Sequence, residues 1–115
     1  MATEYARRIG RFCTFRMQEV KSERALEDHE KAYRIALDPS GRQMTSAQFA
    51  ALLEKGKKLV FLVGAAEGLS EAARKRSDLV LSLGRMTLPH ELARVVLAEQ
   101  IYRAFAILRN HPYAK

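Results

Sequence analysis

Three short segments set small and turn-forming residues directly after apolar runs: Leu37-Asp38-Pro39-Ser40-Gly41, Gly64-Ala65-Ala66-Glu67-Gly68 and Leu83-Gly84-Arg85-Met86-Thr87-Leu88-Pro89. If the runs are parallel strands, all three turns fall on the sheet margin where open α/β sheets bind ligands. Small residues there let backbone N–H and C=O groups approach a bound molecule closely. Ordinary strand-to-helix turns also use glycine, so composition alone favours a structural role. Towards the carboxyl end, Glu99 and Arg103 stand one helical turn apart, and the simplest account is a pair worth roughly 0.3–0.5 kcal/mol to the helix. Arg94, Arg103 and Arg109 nevertheless recur along that segment, with Tyr102, His111 and Tyr113 near its end. Such cations and stacking surfaces suit RNA, and they equally suit a solvated face.

Other chemistries lack their residues. His29, His90 and His111 are scattered, with no cysteine or carboxylate at ligand spacing, so no metal site is expected. His90, next to Pro89 at a helix start, reads as a capping imidazole. Gly64 and Gly68 do not have the dinucleotide-binding spacing, there is no glycine-lysine-serine phosphate loop, and no glycine-flanked serine elbow occurs. The one cysteine, Cys13, cannot form an intrachain disulfide. Twenty Lys and Arg against 13 Asp and Glu give a formal charge of +7, which favours an anionic partner such as RNA. At 115 residues the chain is expected to form one domain, 1–115, and with no long apolar span or leader pattern it reads as soluble and cytoplasmic, without a membrane partner.

The elements that must position these groups follow from periodicity. Residues 2–12 read as an amphipathic helix with Tyr5, Ile9 and Phe12 inside and Arg7, Arg8 and Arg11 outside. Residues 13–20 alternate like a half-buried strand, and 22–31 read as a helix capped by Ser22. A strand over 33–37 is expected to end at the Asp38-Pro39-Ser40-Gly41 turn. Thr45-Ser46 caps a helix over 47–55 that Gly56 stops. Residues 59–63 are continuously apolar, the pattern of a central parallel strand buried on both faces. A short helix over 69–76 capped by Ser70, a strand over 78–83 and a helix from His90 to the Pro112 breaker complete the chain. The last helix presents Leu92, Val95, Val96, Ala98, Ile101, Tyr102, Phe105 and Ile107 as its apolar set. Alternating helices and strands imply a parallel α/β sheet.

Phe61-Leu62-Val63-Gly64-Ala65-Ala66-Glu67-Gly68-Leu69-Ser70, the run from Ser82 to His90, the run from Arg94 to Phe105 and His111-Pro112-Tyr113, in this order and spacing, closely resemble the RlmH family, SPOUT-superfamily methyltransferases of large-subunit ribosomal RNA. The resemblance extends to Leu37-Asp38-Pro39-Ser40-Gly41 and, more loosely, to Glu4-Tyr5-Ala6-Arg7-Arg8. It implies a parallel-sheet α/β fold with a deep trefoil knot, a homodimer, and S-adenosyl-L-methionine bound in the knot. It also implies methyl transfer to N3 of a pseudouridine in ribosomal RNA of the assembled ribosome. Leu37, Gly64, Leu83, Gly84, Arg85, Met86, Thr87 and Leu88 match the cofactor-binding positions, while Arg103 and Glu99 are assigned to orienting the reactants and Tyr113 and His111 to closing the site. Against the family pattern, the first strand is missing, Ala65 replaces a glycine, Gly84 a serine and Ala114 a histidine. Two alternatives stay open: a non-catalytic knotted dimer domain that keeps the cleft, and a basic RNA-binding module.

Overall fold

The computed structural model describes residues 2–13, 15, 31–54, 58–64, 69–84 and 86–110. In chain order the elements are α1 (Ala2–Ile9), β1 (Tyr33–Gln43), α2 (Ser46–Leu53), β2 (Leu59–Leu62), α3 (Glu71–Lys75), β3 (Leu79–Ser82) and α4 (His90–Leu108). The strand expected over 13–20 and the helix expected over 22–31 fall almost wholly outside the described residues.

The sheet is parallel, in the order β2-β1-β3. Tyr33 pairs with Leu59 and Ala36 with Leu62 on one side; Ile35 pairs with Leu79 and Leu37 with Leu81 on the other. This corrects the expectation for residues 59–63. β2 lies at an edge of the described sheet and all four of its residues are half-buried, whereas β1 is central, with Ile35 and Ala36 fully buried. An unbroken apolar run measures how little a strand needs water, but it does not rank strands within a sheet. The polar Arg34 and Asp38 masked the centrality of β1.

The end of β1 also differs from expectation. The ladder does not stop at Leu37: residues 38–41 leave it, and Arg42 and Gln43 pair again with Leu81 and Ser82. Asp38-Pro39-Ser40-Gly41 is therefore an excursion within a strand and not a terminus. Gly41 makes the re-entry possible, because a Cβ there would sit 2.7 Å from the Val80 carbonyl oxygen.

Helices α1 and α2 pack on α4, and a single core joins Ile9, Ile35, Phe49, Leu52, Leu81, Leu97, Ile101 and Tyr102. Phe12 stacks on Phe105 at 5.6 Å between ring centroids, and the Arg8 guanidinium lies near both the Tyr5 and Tyr102 rings. Glu4 holds Arg7 and Arg8 by hydrogen bonds that keep its carboxyl below the usual range. Helix α2 starts as the sequence predicts: the Thr45 hydroxyl accepts from the Gln48 amide, and the Gln48 side chain accepts from the Thr45 amide. This reciprocal capping box satisfies two otherwise orphan donors. Thr45→Ala is expected to cost about 1 kcal/mol, read as a lower urea midpoint at unchanged slope.

Helix α4 departs from expectation at both ends. Its N-cap is Pro89, with no side-chain cap, so His90 does not cap; it is the first helical residue, 3.5 Å from Glu91 through Nε2. The helix ends at Leu108, before Pro112, because Asn110 adopts a left-handed φ of 54°. Asparagine tolerates that conformation and ends helices much as glycine does. Leu92 and Ile107, expected in the apolar face, are 47% and 37% exposed.

Candidate functional site

Because all three strands run the same way, Leu37, Gly64 and the Leu83-Gly84 turn come to one margin of the sheet. Leu37 and Leu83 are half-buried against the core from the central and one flanking strand. Gly64 follows β2 and is half-buried. Its companion residues 65–68, together with Arg85, lie outside the described residues.

The turn after β3 is shaped by a buried hydroxyl. Ser82 is 5% exposed, donates to the Gly84 carbonyl at 2.7 Å and accepts from the Gly84 amide at 3.1 Å. This local bonding turns the backbone sharply and leaves Gly84 at φ +155°, which a side chain rarely adopts. A Cβ placed on Gly84 meets no heavy atom within 4 Å, so space opens beside it. Met86 is 82% exposed, Thr87 is exposed and Leu88 half-buried. Sequence reasoning missed the part played by Ser82, although a serine two residues before a turn glycine is a recognisable signal.

Glu99 and Arg103 pair on α4 as their spacing predicts, with Arg103 Nη2 and Nε at 2.9 and 3.1 Å from one carboxylate oxygen. The Glu99 side chain is only 19% exposed and that of Arg103 34%. This pair is therefore more sheltered than the Glu71–Lys75 pair, whose side chains are over two-thirds exposed. Arg103 lies thirteen residues after His90, about 20 Å along the helix axis at 1.5 Å per residue. The loop that precedes α4 and the Arg103 side chain are thus carried by opposite parts of one long element. His111 and Tyr113 lie outside the described residues. Another hydrogen bond missed from sequence ties α2 to α4: the Ser46 hydroxyl donates to Gln100 Oε1 at 3.0 Å.

A shallow open depression is lined by Ser40, Glu71, Arg74, Lys75 and Val80. It lies beside the β1 excursion and does not span all three turns. Among the described residues there is no group of three metal-ligating side chains, and no helix is long and apolar enough to cross a membrane.

A parallel sheet with its turns gathered at one margin defines an α/β domain, the class whose open sheets bind ligands at that margin. Residues 1–114 match the family described as predicted SPOUT methyltransferase, and the chain belongs to that family. Membership makes it a methyltransferase and implies a methyl donor. The chain is 49% identical over 121 residues to the ribosomal RNA large subunit methyltransferase H of Solibacter usitatus, covering all of this chain and 87% of that protein. It is 39% identical over 133 residues to the protein of the same name from Chromobacterium violaceum, with 96% and 85% covered. Identity to that of Listeria monocytogenes serotype 4a is 41% over 138 residues, with 97% and 87% covered.

Proposed function

We propose that this chain transfers the methyl group of S-adenosyl-L-methionine to N3 of a pseudouridine in large-subunit ribosomal RNA. In this reading it is a cytoplasmic homodimer of a single trefoil-knotted domain, acts on the assembled ribosome and needs no metal. The observation that carries the reading is the convergence of Leu37, Gly64 and the Leu83-Gly84 turn on one margin of a parallel sheet. The names of the relatives support the substrate.

The margin suits the donor. Its nucleoside needs a close approach to backbone and apolar walls; Gly64 brings no side chain to the margin, space opens beside Gly84, and Leu37, Leu83 and Leu88 supply half-buried apolar surface. Arg85, Met86 and Thr87 complete the proposed donor-binding run. When bound, the donor supplies an electrophilic methyl carried on a sulfonium.

N3 of pseudouridine is a weak imide acid, so it must lose its proton as the nitrogen attacks. Holding nitrogen and methyl in line converts a bimolecular encounter into an oriented one and supplies much of the rate. Arg103, fixed by Glu99, orients the base and stabilises the negative charge that develops on it. Tyr113 and His111 close the site. Since Arg103 is about 20 Å along α4 from His90, a second copy laying its own α4 across the margin unites the two halves. Leu92, Ile107 and Met86 are the exposed apolar residues such a contact covers.

The test is transfer of labelled methyl from the donor to ribosomes that lack the modification, compared with unrelated RNAs. Label is expected in the large-subunit RNA alone. A folded dimer that transfers none would remove the enzyme reading, and binding to unrelated RNAs with a steep salt dependence and no donor effect would put the RNA-binding module in its place.

A further inference from the structure

The β1 excursion is held more tightly than a connecting turn requires. Asp38 Oδ2 accepts from the Ser40 amide at 3.0 Å and from the Ser40 hydroxyl, closing the turn on itself. Gly41 lies flush against the β3 backbone at Val80, and the next residues, Arg42 and Gln43, pair with Leu81 and Ser82, so the far end of the excursion is tied to β3. The other oxygen of Asp38 faces a different element: Arg74 of α3 reaches Oδ1 through Nη1 at 3.3 Å, across 36 residues of sequence. The Asp38 side chain is 17% exposed and that of Arg74 37%. Hydrogen bonds from Ser40, followed by the charge of Arg74, hold the Asp38 carboxyl below its ordinary range, so it stays ionised at neutral pH.

Placement gives this ion pair its consequence. Asp38 directly follows Leu37, a proposed donor-binding residue. Arg74 sits on the short helix that begins at Ser70, just after the turn that starts at Gly64. Ser70 anchors α3 by accepting from the Ala73 amide, and Ser77 anchors its other end by donating to the Ala73 carbonyl. Neighbouring Lys75 is turned to Glu71 instead. One contact therefore fixes the spacing between the turn of β1 and the segment that follows β2.

We propose that Arg74 is a positioning residue for the methyl donor, holding Asp38 so that Leu37 beside the β1 excursion and Gly64 at the end of β2 stay at the separation the donor bridges. This rests on the donor-binding reading given above. It predicts an effect on donor affinity and not on the chemical step, because Arg74 touches no reacting atom.

The experiment compares Arg74→Ala, Arg74→Lys and Asp38→Asn with the unsubstituted chain, using calorimetric titration with S-adenosylhomocysteine and steady-state methyl transfer to ribosomes lacking the modification. Arg74→Ala is expected to weaken S-adenosylhomocysteine binding and raise the donor KM about threefold to fivefold, the equivalent of a partly sheltered ion pair. The kcat and the ribosome KM should stay within about twofold, and Arg74→Lys should recover most of the affinity, since the site needs a cation more than a fork. Asp38→Asn, which keeps the side-chain shape, should match Arg74→Ala, and the double variant should lose little more than either. If Arg74→Ala does not fold, Asp38→Asn carries the same comparison. Unchanged donor affinity in a folded variant overturns the positioning role while leaving the donor site intact. Failure of the unsubstituted chain to bind S-adenosylhomocysteine overturns the donor reading, and the role of Arg74 with it.

Discussion

Replacing Arg103 with alanine is expected to lower methyl transfer to ribosomal RNA about a hundredfold, the usual cost of removing a group that stabilises charge at a reacting atom. The same variant should bind S-adenosylhomocysteine within about twofold of the unsubstituted chain, because the proposed donor turns lie elsewhere. Stability offers the control. Glu99 and Arg103 form a partly sheltered pair, so the variant is expected to lose about 1 kcal/mol of stability, and a hundredfold loss of rate in a variant that stays folded assigns Arg103 to the reaction. Loss of less than threefold would return the pair to a purely structural role. Arg103→Lys should also be slow, since a point charge on a flexible stem does not reproduce the planar fork that Glu99 holds at 2.9 and 3.1 Å.

Gly41→Ala is expected to be the most destabilising single-methyl change near the site. The added carbon would lie 2.7 Å from the Val80 oxygen, 2.8 Å from its carbonyl carbon and 2.9 Å from Cγ1. Two of those atoms are backbone of a paired strand, so relief requires β1 and β3 to part. Overpacking of this kind costs about 2–3 kcal/mol, read as a lower urea midpoint. A stability within about 0.5 kcal/mol of the original would mean that the excursion is not packed on β3 as described.

The elements that carry local signals were legible in the sequence. Thr45 and Ser70 announced α2 and α3 because a cap is a contact between residues three apart, and both hydroxyls do accept from the third amide of their helices. The parallel α/β class and the Glu99–Arg103 pair followed from spacing in the same way. The family was legible too, because blocks after β2 and β3 and along α4 recur in fixed order, and membership in the SPOUT family bears out that resemblance.

What sequence did not yield depended on distant partners. The rank of strands is decided by pairing, so the apolar run Leu59–Val63 reads as central although, among the described strands, β1, broken by Arg34 and Asp38, occupies the middle. The return of Arg42 and Gln43 to the ladder depends on the fit of Gly41 against Val80, 39 residues away. Asp38–Arg74 and Ser46–Gln100 are likewise contacts between elements, invisible to any local pattern. The exposed Leu92 and Ile107 were placed inside because α4 repeats apolar residues around more of its circumference than α1 and α2 cover. Asn110, and not Pro112, ends α4 because a left-handed residue stops the helix before proline is reached.

The identity of the methylated nucleoside tests the proposed reaction most directly. Ribosomes lacking the modification are incubated with this chain and S-adenosyl-L-methionine, and the large-subunit RNA is digested and resolved by mass spectrometry. N3-methylpseudouridine is expected, absent when the donor is omitted and sharply reduced with Arg103→Ala. A folded, donor-binding protein that leaves the pseudouridine unmethylated, or places the methyl on another base, would contradict it.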